Sequence, residues 1–322
     1  MAGSSYGLEF RITTFGESHG KAIGVIVDGV TPGLELSPED IQPHLARRRP
    51  GQSSITTPRD ETDSVEILSG VFEGKTTGTP ITLVVFNQDQ RSRDYSEIMA
   101  KFRPGHADAT YLTKYGLRDY RGSGRASGRE TIGRVAAGAI ALKLLAQKGI
   151  TITAYTRRAA GVECKTIDFD VIEQNPVRAA DADAAAEMVR RIEKLAEEGN
   201  STGGIVECVV QGMPVGLGEP VFDKLDAEIA KAMLSLGAVK GIEFGAGFAA
   251  ADMTGVEHND EIAADGHLTN NAGGILGGIS SGEDLTFRIA VKPPASIKAE
   301  QKTVDVEGRE TTISTHGRHD PI

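Results

Sequence analysis

The residues best suited to chemistry lie between Lys101 and Arg134, in KFRPGHADATYLTKYGLRDYRGSGRASGRETIGR. Arg118, Arg121, Arg125, Arg129 and Arg134 are interleaved there with Gly122, Gly124 and Gly128, and His106 stands a little upstream. Guanidinium groups offer charge-assisted, often bidentate hydrogen bonds to carboxylate or phosphate oxygens. Glycines let backbone amides approach a ligand with no Cβ in the way. A helix expected over VAAGAIALKLLAQKG, closed by Gly149, adds free N–H groups and a positive dipole end at its start. The pattern points to a site for a small, heavily anionic molecule. The alternative is a solvated face with ordinary ion pairs to Asp119 and Glu130. Such a face has no use for glycines, each of which costs up to ~1 kcal/mol inside a helix.

Two histidines add proton chemistry. His106 follows the Pro104-Gly105 turn, with Asp108 two residues on, and His19 sits in the turn GESHG at residues 16–20, at the end of a strand. An imidazole has an ordinary pKa of ~6.5 and exchanges protons near neutrality. A third basic group, Arg47, Arg48 and Arg49, closes the helix expected over SPEDIQPHLARRR, with Ser37 as N-cap and Pro38 at its first position. Cations in a last turn suit the macrodipole, but three consecutive arginines point to different sides and cannot all serve that purpose.

The elements that must position these groups follow from periodicity. Strands are expected at 7–15, 23–27, VEILSGVF with PITLVVF, ITITAYT, GGIVECVVQG, AVKGIEFGAGF and TFRIAVKPPASI. Amphipathic helices are expected over DADAAAEMVRRIEKLAEEG, with Met188, Ile192, Leu195 and Ala196 on one face, and over DKLDAEIAKAMLSLG, with Leu225, Ile229 and Leu236 inward. The long glycine-dense stretch NDEIAADGHLTNNAGGILGGISSGEDL reads as irregular and, at that length, functional. No repeat, low-complexity tract or linker interrupts the chain. One integrated α+β domain over residues 1–322 is expected.

Composition narrows the function. The 322 residues carry 39 glycines, no tryptophan and a net charge of −10. Acidity of that size argues against nucleic-acid and membrane-surface partners and suits local basic clusters that focus a small anion. Cys164 and Cys208 have no ligand spacing and read as buried free thiols, and no metal site is expected. The N-terminus lacks the pattern of a signal peptide and no apolar run approaches the ~18 residues of a span. A cytoplasmic protein is expected.

Several segments taken together resemble chorismate synthase. They are GESHG at 16–20, RRRPGQS at 47–53, RPGHAD at 103–108, RDYRGSGRASGRETIGRVAAGAIA at 118–141, GEPVFDKLDAEIAKAM at 218–233, AGGILGGISSG at 272–282 and HGRHDP at 316–321. The likeness covers nearly all of the chain, in order and at similar spacing. It implies a β-α-β sandwich, with helices layered between antiparallel sheets, assembled as a homotetramer. It also implies a lyase that converts 5-enolpyruvylshikimate 3-phosphate to chorismate and phosphate, the last step of the shikimate pathway, using reduced FMN with no net redox change. By position, His106 would protonate or stabilise the reduced flavin, His19 would act as general acid towards the leaving phosphate, and Asp320 would help take the C6 proton. Arg48, Arg49, Arg125, Arg129 and Arg134 would bind substrate anions. Flavin contacts would come from Arg125, Ala126, Ser127, Ala238, Gly278, Lys292, Pro293, Pro294, Ala295, Ser296 and Arg318.

The chain departs from the family pattern in places. GSGRASGRET stands where GGGRSSARET is usual, so Ala126 lacks a hydroxyl and Gly128 replaces alanine. Ser54, Gly237 and Asn271 stand where arginine, asparagine and histidine are common, and KPPAS replaces KPTSS. The sequence also ends just after HDP, where relatives continue with a basic loop and a helix. Some fungal members reduce their own flavin with NAD(P)H; no added domain for that is visible here, so an external flavin reductant is expected. The competing readings are a phosphate-binding transferase, which lacks GxxxxGK[ST] and a paired-carboxylate metal motif, and a non-enzymatic protein that keeps the fold alone.

Overall fold

The computed structural model describes residues 3–56, 61–88, 96–264, 266–315 and 320–322. The chain folds as two compact units, one of Met1–Lys143, Ala196–Ser201 and Ala295–Pro321, the other of Leu144–Leu195, Thr202–Pro294 and Ile322.

The first unit is built on an antiparallel sheet of β1 (Ser5–Tyr6), β2 (Arg11–Gly16), β3 (Ala22–Asp28), β4 (Val65–Ser69) and, beyond the small hairpin β5 (Val71–Phe72) and β6 (Lys75–Thr76), β7 (Ile81–Phe86). Its order is β1-β2-β3-β7-β4. Alternate residues of the two central strands face one side and meet across the ladder, Ile23 with Val85, Val25 with Leu83 and Val27 with Ile81. All six are buried. Such apolar cross-strand pairs fix the register, since a one-residue slip would turn the whole set to water. Helix α1 (Pro38–Arg48) begins as expected at Ser37, whose backbone N–H donates to Asp40 Oδ2 at 2.9 Å, and it buries Ile41 and Leu45. Short helices α2 (Ser96–Ala100) and α3 (Asp108–Tyr115) follow, then α4 (Thr131–Ala146).

Helix α4 starts four residues earlier than the apolar pattern suggests, so Arg134 lies in its first turn. Gly133 sets how close that turn comes to the sheet. A Cβ there would stand 3.0 Å from Gly24 O and 3.1 Å from Thr14 Cγ2, so a side chain at this position would lift the helix start off β2 and β3. The ion pair of Lys143 Nζ with Asp40 Oδ1, at 2.6 Å, ties the other end of this segment to α1.

In the second unit the sheet order is β11-β16-β10-β8-β9, again antiparallel throughout. The strands are β8 (Thr151–Ala159), β9 (Val162–Glu163), β10 (Gly204–Gln211), β11 (Val239–Phe244) and, after two small hairpins, β16 (Leu285–Val291). Helix α5 (Ala182–Glu197) buries Met188 and Ile192, as its spacing predicts. Helix α6 (Leu225–Leu234) and the turn after it lay Leu225, Ile229, Met233 and Leu236 on a core that includes Cys208, Val239, Leu285, Phe287 and Ile289. Both cysteines are buried free thiols.

The stretch expected to be irregular is more ordered than its glycines suggest. After the one-turn α7 (Gly255–His258) it holds the hairpins β12 (Ile262–Ala263) with β13 (Gly266–His267) and β14 (Ile275–Leu276) with β15 (Ile279–Ser280). Asp260 organises it by accepting from Thr269 Oγ1, Asn271 N and Ala272 N at 2.6, 2.7 and 2.9 Å. The chain then returns to the first unit, where β17 (Gln301–Val304) and β18 (Glu310–Ile313) form a hairpin that polar alternation concealed. Antiparallel sheets with helices bear out the α+β class. Among the described residues no helix is long and apolar enough to cross a membrane, and no cluster of three or more His, Cys, Asp or Glu could hold a metal.

Asp181 shows how a single carboxylate starts a helix. Its Oδ1 accepts from Ala184 N at 3.0 Å, and Oδ2 accepts from Lys165 N at 2.8 Å and Thr166 N at 3.1 Å. These backbone bonds, that from Ala184 first, hold its carboxyl down to about 2. A depressed carboxyl stabilises the fold fully above its unfolded value of ~3.9 and loses that contribution as pH falls through the folded value. Asp181→Ala is therefore expected to lower stability by about 1–2 kcal/mol at neutral pH. The gap to wild type should close as pH drops below about 4, as read by chemical denaturation across that range.

Candidate active site

The arginine–glycine segment is a string of tight turns. Short 3-10 stretches at Gly124–Ala126 and Gly128–Glu130 lead directly into α4, and Ser127 Oγ accepts from Arg129 N at 3.3 Å between them. Because α4 is seated on β2 and β3, these turns lie against the end of β2 and the GESHG turn. The arginines then sort by partner.

Arg48 and Arg129 converge on one carboxylate. Asp63 is fully buried, and its Oδ2 accepts from Arg48 Nη1 at 3.1 Å while its Oδ1 accepts from Arg129 Nη2 at 2.9 Å. The Asp63 backbone has φ +47°, a left-handed conformation that Asp tolerates better than most residues. Burial lowers the proton affinity of Arg48, opposed by the charge of Asp63; the like charge of Arg129 adds to the fall, and Asp320 opposes it. Asp320 is thus near Arg48 in the same unit. Arg129 is only 5% exposed, and its Nε and Nη1 are buried without a hydrogen-bond partner among the described residues. Its Nη2 also donates to Asn87 Oδ1 at 2.9 Å. Asn87 in turn donates through Nδ2 to Glu17 O at 3.0 Å and Gly20 O at 2.9 Å. One amide side chain therefore clamps the GESHG turn to Arg129.

Arg125 and Arg134 share a different acid. Arg125 Nη2 donates to Thr14 Oγ1 at 2.6 Å, Thr14 Oγ1 donates to Glu130 Oε1 at 2.9 Å, and Arg134 Nε donates to Glu130 Oε2 at 2.8 Å. Arg125 Nη1 also reaches Gly16 O at 3.2 Å, binding the loop to the entry of the His19 turn. The other two arginines of the segment have structural or surface roles. Arg118 donates to the carbonyls of Ile98, Met99 and Lys101, lies over the Phe102 ring and pairs with Asp108. Arg121 makes an exposed pair with Asp119, the bland arrangement weighed from sequence. Arg49 is exposed at the C-cap of α1.

The turn carrying His106 is fastened by Arg103. Its Nε and Nη2 grip both oxygens of Asp108 at 2.8 and 2.9 Å, its Nη1 donates to Ser296 Oγ at 3.0 Å, and its Nη2 reaches Ser123 Oγ at 2.7 Å. His106 Nδ1 stands 3.1 Å from both Arg103 Nη2 and Asp108 Oδ1. Burial raises the Asp108 carboxyl, but the bonds from Arg103 and then His106 outweigh it and hold the group well below the usual carboxylate range.

His19 meets the same loop one residue away. A Cβ on Gly122 would fall 2.0 Å from His19 Nδ1, and Gly122 has φ +67°. Only glycine accommodates both the turn and the imidazole. The first unit thus brings His19 against Gly122 and His106 against the guanidinium that holds Ser123. The residues expected from the resemblance in this unit, Arg48, Arg125, Ala126, Ser127, Arg129, Arg134, Ala295 and Ser296, fall on these same turns or next to them. Ala295 lies opposite Gly105, whose Cβ would stand 3.8 Å from Ala295 Cβ.

The remaining expected residues belong to the second unit. The N–H of Lys292 donates to Ala238 O at 2.9 Å, so two of them meet there, and Ala238 adopts φ +70°. Gly278 O accepts from Leu225 N at the start of α6, at 2.9 Å. Lys292 Nζ reaches Pro293 O at 3.3 Å, and Pro294 is half-buried beside it. Arg318 lies outside the described residues.

Comparison with known proteins gives this geometry a family. The family model described as chorismate synthase matches residues 10–322. The chain belongs to the chorismate synthase family. The chorismate synthase of Syntrophobacter fumaroxidans is 58% identical over 320 residues, 99% of this chain and 91% of the relative. That of Methanosarcina mazei is 57% identical over 330 residues, 100% of this chain and 90% of the relative. A crystal structure of a chorismate synthase superposes with a TM-score of 0.75 at 34% identity, covering 89% of this chain and 85% of that one.

Sequence reading missed the residues that hold the arginines of this chorismate synthase relative in place. Asp63 and Asn87 carry no motif of their own, and Arg103 and Asp108, although part of RPGHAD, have no holding role assigned from sequence; both lie within 3.1 Å of His106 Nδ1. A search for acids and amides to balance the expected cations would have found Asp108 from RPGHAD, but not Asp63 or Asn87, which reach the site only through the sheet. The packing on Gly122 is directly testable. Gly122→Ala is expected to displace the His19 imidazole and lower chorismate formation about 100-fold, and to destabilise the fold by about 1 kcal/mol because the turn has positive φ, as measured by steady-state turnover and a thermal melt.

Proposed function

We propose that this chain catalyses the anti-1,4-elimination of phosphate and the C6 hydrogen from 5-enolpyruvylshikimate 3-phosphate, giving chorismate. It does so as a carbon–oxygen lyase dependent on reduced FMN, with no net redox change. The observation that carries this reading is Arg129. A buried guanidinium with N–H groups unmatched by protein costs about 1–3 kcal/mol per group or more, and an anion that accepts from them removes that cost. The proposed substrate brings two carboxylates and a phosphate. His19 lies against Gly122, and the Arg103 guanidinium beside His106 holds Ser123, the next residue of the same loop.

The donor set of the first unit fits the flavin as well. Ser296, expected at the flavin, and Ser123, two residues before Arg125, are both held by the Arg103 guanidinium that borders His106. Arg125, Ala126, Ser127, Ala295 and Ser296 would hold FMN from this unit. Reduced FMN, when bound, supplies transient electron density that helps expel phosphate. His19 gives its proton to the leaving phosphate oxygen, and His106 holds a proton at the flavin edge of the site. Arg129 and Arg48 bind and orient substrate anions, joined by Arg49, Arg125 and Arg134, and Asp320 assists removal of the C6 hydrogen. The expectations of a homotetramer, a cytoplasmic enzyme and an external flavin reductant belong to the same proposal.

Anaerobic incubation with dithionite-reduced FMN and the phosphorylated substrate is expected to yield chorismate and phosphate in equal amounts. FMN binding with no product would overturn the reading. His19→Ala and His106→Ala should each lower kcat by about 10²–10⁴-fold with the fold intact, and wild-type turnover in either would remove that residue from the mechanism. Arg129→Met should raise KM about 10–100-fold, measured by substrate titration.

A further inference from the structure

Asn87 is the first residue after β7, and its mount is rigid. Its backbone N–H donates to Lys21 O at 3.1 Å, carrying the β3–β7 ladder one step past the Ala22–Phe86 pair. The N–H of Gln88 donates to buried Glu61 at 3.1 Å, two residues before Asp63. Asn87 Oδ1 and Asp63 Oδ1 both accept from Arg129 Nη2, each at 2.9 Å. A guanidinium Nη carries two protons, so these two acceptors saturate that nitrogen.

The amide can point only one way. Arg129 offers no acceptor, and the carbonyls of Glu17 and Gly20 offer no donor. Oδ1 must therefore face the arginine, and the two Nδ2 protons go to Glu17 O at 3.0 Å and Gly20 O at 2.9 Å. Those two residues bracket His19. The N–H of Gly20 donates to Glu17 O at 3.0 Å and closes a four-residue turn in which His19 is third. Beyond the turn the imidazole has no slack, because a Cβ on Gly122 would stand only 2.0 Å from its Nδ1. The ring goes where the turn puts it, and Asn87 bonds the turn at both ends.

We propose that Asn87 is a positioning residue for the proton step, holding the His19 turn in register with Arg129 so that acid and anion ligand meet one substrate. This rests on the reading of His19 as the acid towards the leaving phosphate and of Arg129 as a substrate ligand. Asn87 itself transfers no proton. Its loss costs alignment, and a misplacement of ~1 Å in a reacting group costs about 100-fold in rate. Binding suffers far less, because Arg129 keeps its bond to Asp63 when Asn87 is removed.

The test measures kcat and KM of the full chain anaerobically with dithionite-reduced FMN. Asn87→Ala should lower kcat about 10–100-fold and leave KM within about threefold. Asn87→Asp separates the two ends of the bridge, since it keeps an acceptor for Arg129 but brings no proton to either carbonyl. Its kcat should be at least as low, and wild-type kcat in Asn87→Asp overturns the proposal. Added to His19→Ala, Asn87→Ala should change kcat by less than about threefold, because the group it positions is gone. A further fall as large as in the wild-type background is what a merely structural role gives, and it also overturns the proposal. Spectra of [¹⁵N]histidine-labelled protein without substrate or flavin give a second readout. The His19 signals, assigned by their loss in His19→Ala, should move in both Asn87 variants; either variant suffices if the other fails to fold, and unmoved signals overturn the proposal. The underlying reading fails separately: wild-type turnover in His19→Ala defeats the acid role while the His19 signals still answer to Asn87.

Discussion

Two carboxylates withdrawn from water, Asp63 and Asp108, determine where four arginines stand. Asp63 is shared by Arg48 and Arg129, and Asp108 by Arg103 and Arg118. Removing one partner of such a buried pair typically destabilises by about 3–5 kcal/mol, because the charge left behind has no water to solvate it. These pairs are therefore constraints on geometry before they are sources of stability. Arg103 also reaches Ser123, and Nε and Nη1 of Arg129 have no hydrogen-bond partner among the described residues. Where the protein stops supplying acceptors, a ligand can supply them.

The same logic explains an acidic protein with a basic site. A net charge of −10 spread over the molecule repels anions in general, whereas a concentrated excess of guanidinium groups at one place attracts them locally. Partial neutralisation keeps the excess tolerable. Glu130 balances Arg134 directly and Arg125 through Thr14, whose hydroxyl accepts from Arg125 and donates to the acid. The interlock through Asn87, Gly122 and Ser123 then links charge to proton chemistry, because Arg129 is tied through Asn87 to the turn that carries His19, and Arg103 borders His106.

Much of this was legible in the sequence. Alternation and apolar runs located the central strands, and capping chemistry located α1, because those signals are local and repeat along the chain. The arginine–glycine segment stood out through a combination that neither a helix nor a solvated face would use. Hidden were the residues that act across distance. Asp63 and Asn87 meet Arg129 only because β4 and β7 are neighbours in the sheet, and no spacing in the sequence encodes that meeting. The five arginines of the segment also looked alike, yet Arg118 serves backbone carbonyls and Arg121 faces solvent. Their division depends on which acids fold beside them. The β17–β18 hairpin escaped notice for a related reason, since its polar alternation carries little burial signal.

The sharing of Asp63 makes the site unequal in its tolerance of change. Loss of Arg48 or Arg129 leaves the other still matched by the acid, whereas loss of the acid strands both cations at once. Its left-handed backbone, at φ +47°, narrows the replacements further, to residues such as asparagine or glycine that carry no charge. Descent by single substitutions can therefore remodel the arginines one at a time, but the aspartate between them is a fixed point around which the pocket must diversify.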